Sequence, residues 1–135
     1  MKKILLFLSI VFVLNACTVH LVPQKSQTII DMVNTSANNT NALYDHVISS
    51  GDKYYGNYAN EYANIDSEIS EIITLDSART KPKIILGMMH DVQNRFSNYE
   101  ADHKARILNN SELQVYKDEM HAIWSTIINA ENNYK

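Results

Sequence analysis

Apolar residues recur along most of this chain at alternating steps of three and four, and that period limits what it can fold into. Ile30, Val33, Ala37, Thr40, Tyr44 and Val47 form a first series, and Tyr55, Tyr58, Tyr62, Ile65, Ile69 and Ile72 a second. Ile85, Met89, Val92, Phe96, Tyr99 and His103 form a third, and Leu113, Tyr116, Met120, Ile123 or Trp124, and Ile127 a fourth. Successive residues of a helix rotate by about 100°, so this spacing lays one apolar stripe along each segment. No stretch alternates strictly, as a half-buried strand requires. The expected fold class is all-α. Cys17 is the only cysteine, so no intramolecular disulfide can form and the fold must rest on packing.

The breaks between the stripes predict four helices. Thr28-Ile29-Ile30-Asp31 looks like an acidic variant of a capping box, and Ser49-Ser50-Gly51-Asp52 offers a glycine stop followed by an Asp N-cap. Pro82 suits a first helical turn, where its missing N–H costs nothing. At Asn109-Asn110-Ser111 the chain can turn, and Ser111 with Gln114 matches an S-x-x-Q box. Short connections make sequence neighbours antiparallel, which favours an up-down-up-down four-helix bundle over residues 28–135. The alternative is an extended helical hairpin or coiled coil. Val47, Gly51 and Tyr55 are spaced four and four, a stutter that a continuous helix can absorb. The first helix is the least secure element. Asn34 to Asn41 is rich in side chains that compete for backbone hydrogen bonds, and its stripe narrows to Ala37 and Thr40, which reads as a solvated, weakly packed helix.

The N-terminus has a different character. Lys2 and Lys3 precede an apolar run from Ile4 to Leu14, interrupted only by Ser9, which is too short to span a bilayer but suits an export signal. Leu14-Asn15-Ala16-Cys17 follows. It resembles the lipobox of bacterial lipoproteins in its aliphatic residue, its small residue before the cysteine and the cysteine itself; Asn15 departs from the small residue common at that place. The resemblance covers the first seventeen residues. It implies removal of residues 1–16, a diacylglycerol thioether and an acylated amino group on Cys17, and a tether over 17–27. Several acyl chains make a durable anchor where one does not. In enterobacterial lipoproteins an aspartate after the cysteine retains the protein at the inner membrane. Thr18 stands there instead, so the resemblance implies the outer membrane, with the bundle facing the periplasm.

Loss of residues 1–16 removes Lys2 and Lys3 and leaves all 15 acidic residues, moving the net charge from −3 to −5. A negative chain without basic clusters is not suited to nucleic acid, which is bound through many lysine and arginine contacts.

Tyrosine is the most unusual component. Tyr44, Tyr54, Tyr55, Tyr58 and Tyr62 fall close together, and on a helix Tyr54, Tyr58 and Tyr62 would share one face, beside a strip of Gly56, Ala59 and Ala63. A large ring with a polar tip serves both half-buried seams and binding surfaces, and this face is the expected contact for a partner protein. Two acid-x-x-His spacings, Glu100 to His103 and Asp118 to His121, invite comparison with di-iron bundles. If the third and fourth helices fold back at Asn109, however, His103 lies opposite a residue near 116, leaving His121 displaced in height. Met89 is a stripe residue, with Met88 beside it and His90 towards solvent. No metal site or cofactor is expected. With Cys17 acylated and only three glycines, the chain has no cysteine nucleophile, phosphate loop or nucleophile elbow, and no enzyme is expected.

The function expected from these features is that of an outer-membrane-anchored accessory module that binds another envelope protein. The alternatives are a bundle carrying a small ligand, metal or haem, and an inhibitor or immunity lipoprotein against a toxin or phage. The stripes would also allow a homo-oligomer of hairpins.

Overall fold

The computed structural model describes residues 25–79 and 83–134. The signal segment 1–16, Cys17, most of the tether and Pro82 lie outside the described residues. Four helices follow in order: α1 Gln27–Ser49, α2 Ala59–Ser77, α3 Lys83–Ala105 and α4 Asn110–Asn133, with a 3-10 turn at Tyr55–Asn57 before α2. No strand element occurs among the described residues.

The helices pack in a ring in chain order, and α4 closes on α1. This is the antiparallel four-helix bundle, and the ring closure excludes the extended hairpin. All four stripes turn inward. Ile30, Val33, Ala37, Thr40, Tyr44 and Val47 of α1 are buried, as are Tyr62, Ile65, Ile69 and Ile72 of α2. Ile85, Met89, Val92 and Phe96 meet them from α3, and Leu113, Met120, Trp124 and Ile127 from α4. Each large side chain so buried contributes about 1.5–3 kcal/mol relative to exposure.

The helix ends differ from the sequence expectation by a few residues. Ser26, not Thr28, caps α1, its hydroxyl accepting from the Ile29 N–H. α4 is capped by a complete box built from Asn109 and Glu112, two residues earlier than Ser111 and Gln114: Asn109 Oδ1 accepts from Glu112 N at 3.0 Å, and Glu112 Oε2 from Asn109 N at 2.9 Å. α1 does not end on glycine. Ser50, in extended conformation, is its C-cap, and no glycine takes a positive φ among the described residues.

The first helix is better packed than its composition suggests. Trp124 from α4 donates through Nε1 to Thr40 Oγ1 at 3.2 Å, and Thr40 donates in turn to the Ser36 carbonyl at 2.7 Å. Ser36, Ala37 and Thr40 are buried. The narrow stretch of the stripe thus lies where the neighbouring helix supplies an indole, and the reading of a weakly packed helix is corrected.

At the end where α1 begins and α4 finishes, a guanidinium is buried between two carboxylates. Arg79 Nη1 lies 2.7 Å from Asp76 Oδ1 and 2.6 Å from Glu131 Oε1, with all three side chains out of solvent. Burial alone would lower the Arg79 pKa, but the hydrogen bonds to Glu131 and Asp76 carry it above its ordinary value. The Arg79 guanidinium also lies over the Tyr134 ring, 4.9 Å from its centroid. Among the described residues no helix is long and apolar enough to cross a membrane.

Candidate functional site

The aromatic cluster lies at the opposite end of the bundle, where α1 ends, α2 begins and α3 finishes. At about 1.5 Å per residue, the 23 residues of α1 separate the two ends by about 34 Å.

This end is organised by His103, which is buried. Its Nε2 lies 2.8 Å from the Lys53 carbonyl and its Nδ1 3.1 Å from the Tyr62 hydroxyl. A carbonyl only accepts, so in the neutral ring Nε2 carries the hydrogen and Nδ1 accepts from Tyr62. The rings of Tyr55, Tyr58 and Tyr62 surround the imidazole at 5.8, 5.9 and 5.7 Å. Phe96 extends the cluster into the core at 5.5 Å from Tyr62. Burial pushes the Tyr62 phenol well above its ordinary pKa.

Asp52 fixes the loop that His103 holds. Its Oδ1 accepts from the Tyr54 N–H at 2.9 Å, its Oδ2 from Asn57 Nδ2 at 2.9 Å, and its carbonyl from the Tyr58 hydroxyl at 2.6 Å. This carboxylate was expected to cap a helix. It caps a loop turn instead, and α2 starts only at Ala59.

That delay corrects the proposed tyrosine face. Tyr54, Tyr58 and Tyr62 do not share one exposed surface, because Tyr54 precedes the 3-10 turn while Tyr58 and Tyr62 point into the core. Of the three, only Tyr54 is presented to solvent, at 64% exposure. Its ring lies over Gly56, where an added Cβ would come within 2.5 Å of Tyr54 Cε1.

Tyr54 borders a surface concavity of about 280 Å³ whose lining includes Lys53, Tyr55, His103, Lys104, Arg106 and Ile107. Ile107, in the α3–α4 connection, is 72% exposed. It belongs to no stripe, so its one signal in the sequence is an isoleucine inside a turn segment. Tyr55 donates to Glu100 Oε1 at 2.7 Å, and Lys104 bridges the same carboxylate at 2.9 Å while lying over the Tyr55 ring. Burial, then the Glu100 hydrogen bond, raise the Tyr55 pKa. Arg106 pairs with Asp102 at 2.8 Å and Glu112 at 2.7 Å. The polar groups here engage one another, and the exposed apolar groups at the edge of the concavity are the Tyr54 ring and the Ile107 side chain.

The histidine motifs do not converge. His103 belongs to the aromatic cluster, whereas His121 is exposed and lies 3.4 Å from Asn41 of α1. The turn between α3 and α4 sets Tyr99 on Tyr116, stacked at 4.0 Å, which puts the height of residue 116 beside the end of α3. No group of three or more His, Cys, Asp or Glu residues arranged to hold a metal occurs among the described residues. Met89 is buried in the core and His90 is exposed. Compared with known proteins, the chain matches no family model, no curated sequence and no solved structure.

Proposed function

We propose that this chain is a lipid-anchored module of the bacterial envelope that binds another envelope protein through the aromatic end of its bundle. The lipobox-like Leu14-Asn15-Ala16-Cys17 supports the anchor, and Thr18 favours the outer membrane. The chain enters the bundle at Ser26, about 34 Å from the aromatic end, so a lipid on Cys17 would leave that end free to meet a partner in the periplasm. On this reading the module has no reaction or resident cofactor of its own and acts by holding a partner near the membrane.

The observation that carries the binding surface is the pairing of exposure with rigidity. Tyr54 and Ile107 are the exposed apolar groups bordering one concavity, and the loop bearing Tyr54 is pinned by Asp52 and His103. An anchor held in place before binding loses little conformational entropy on contact, and aromatic residues in such positions dominate interface energetics.

A photo-crosslinking amino acid placed at Tyr54 or Ile107 in the native envelope tests this. It should capture one dominant protein that the same probe at Asn94, exposed on α3, does not. Identical products from all three positions would contradict the assignment.

A further inference from the structure

The lysines and arginines of the bundle sort by position. Arg79, Arg95, Lys104, Arg106 and Lys117 each lie within 3.2 Å of a carboxylate. Lys53 is half-buried and donates to the Ser50 carbonyl at 3.0 Å. Among the described residues, the two that are exposed and face no carboxylate are Lys25 and Lys83, and both stand at the end where α1 and α3 begin. Lys25 gives one hydrogen to the Asn132 carbonyl at 3.2 Å, which leaves two of its three donors for another acceptor. Lys83 is the first residue of α3, where a lysine opposes the helix macrodipole and folding gains nothing from it. Beside it, Ile84 is 76% exposed, more than any other large apolar side chain among the described residues.

Carboxylates are kept off the same end. In the terminal helical turns there, the acids among the described residues are Asp76 and Glu131, and both are buried against Arg79. The first exposed acid, Asp31, lies one turn further in and accepts from Gln27 Nε2 at 2.8 Å. The flanks of the bundle differ. Each helix carries an exposed acid along its length: Asp45 on α1, Glu71 on α2, Asp91 on α3 and Asp118 on α4.

We infer, on the strength of the N-terminal membrane attachment proposed above, that this end seats on an anionic phospholipid surface. Lys25 and Lys83 lie against lipid phosphates, and Ile84 enters the boundary between headgroups and acyl chains. Eight residues separate Cys17 from Lys25, a reach of at most about 28 Å. That is shorter than the bundle, so an anchored chain holds this end near the bilayer before any charge acts. Lying on its side, the bundle would press its flank acids onto the anionic surface; standing on this end, it keeps them away. Seated so, it points Tyr54 and Ile107 away from the bilayer, towards a partner.

The test uses the full chain purified from bacterial membranes and reconstituted in vesicles whose lipids carry brominated acyl chains, which quench tryptophan on contact. Ile84→Trp should be quenched in phosphatidylcholine vesicles containing phosphatidylglycerol, and much less in phosphatidylcholine alone. Tyr54→Trp, at the far end, should be quenched in neither, with buried Trp124 of the parent as background. Lys25→Gln and Lys83→Gln should each shift the seating equilibrium about fivefold, equivalent to about 1 kcal/mol, whereas Lys83→Arg should preserve it. Both lysines are exposed, so helical content should hold in these variants. Quenching of Ile84→Trp that is equal with and without phosphatidylglycerol, that survives loss of both lysines, or that Tyr54→Trp matches would overturn the proposal. The intact mass of the purified chain reports acylation of Cys17 separately. A missing acyl group would remove the lipid anchor proposed above, while phosphatidylglycerol-dependent quenching would still support the seating.

Discussion

Trp124 and Thr40 join the last helix to the first through a hydrogen bond of 3.2 Å from the indole Nε1 to the threonine hydroxyl. Both residues are buried, so the indole N–H depends on this acceptor. Thr40→Val keeps the shape and removes the oxygen, and should cost about 1–3 kcal/mol, whereas Thr40→Ser should cost less because the acceptor survives. Trp124 is the only tryptophan, so its fluorescence during denaturation reports this seam directly.

The tyrosines divide by their surroundings. Tyr62→Phe removes the group bonded to His103 Nδ1 and should lower stability by about 1–3 kcal/mol. Tyr54→Ser, at an exposed loop position, should stay within about 0.5 kcal/mol of the parent. Urea denaturation followed by circular dichroism separates the two. A similar loss in both would place Tyr54 in the core.

Much of this was legible in the sequence, because the stripes record burial directly: Ile69, Met89 and Phe96 sit where their period puts them. The loop before α2 was not. Tyr55 and Tyr58 keep the helical period, but the chain there is set by a tertiary bond from His103 to the Lys53 carbonyl, which no local pattern encodes. The buried Arg79 cluster was also missed, although a signal existed. Asp76 continues the α2 stripe four residues after Ile72, and Glu131 continues the α4 stripe four after Ile127. A carboxylate at a stripe position implies a cation opposite it. Tyr54, Tyr58 and Tyr62 keep a helical spacing, and only the tertiary fold reveals that α2 begins after Tyr54.

Arg79→Met should therefore be among the most damaging single substitutions. It leaves Asp76 and Glu131 buried without their shared cation, at a cost of about 3–5 kcal/mol. Replacing all three residues with apolar side chains of similar volume should recover most of that loss, which thermal melting of the single and triple variants would check.

Stability should fall at both extremes of pH. The hydrogen bond to Asp102, then burial, push the Tyr116 phenol from 10.0 up to about 12. Its contribution is complete below pH 10 and lost as pH rises through about 12. Burial raises the Tyr44 phenol in the same direction. On the acid side, the Asn109 N–H and then Arg106 hold Glu112 below its usual 4.5, while Tyr116 and then Arg106 hold Asp102 below 3.8. Their contribution is present above those values and lost as pH falls through the lower folded ones. Glu112→Gln should flatten the acid limb in a series of melts across pH.

Gly56 sets the attitude of the Tyr54 ring. The three atoms nearest a Cβ there all belong to that ring, so Gly56→Ala should displace Tyr54. The expected result is weaker partner capture with a melting temperature within a few degrees of the parent, for a change of about 0.5–1 kcal/mol.

Binding through the aromatic end is tested most directly by affinity capture from native envelopes with the full-length chain and with Tyr54→Ser/Ile107→Ser, the two compared at equal helical content. The dominant envelope protein retained by the parent should be lost from the variant. Undiminished capture by the variant would contradict it and place the binding surface elsewhere on the bundle.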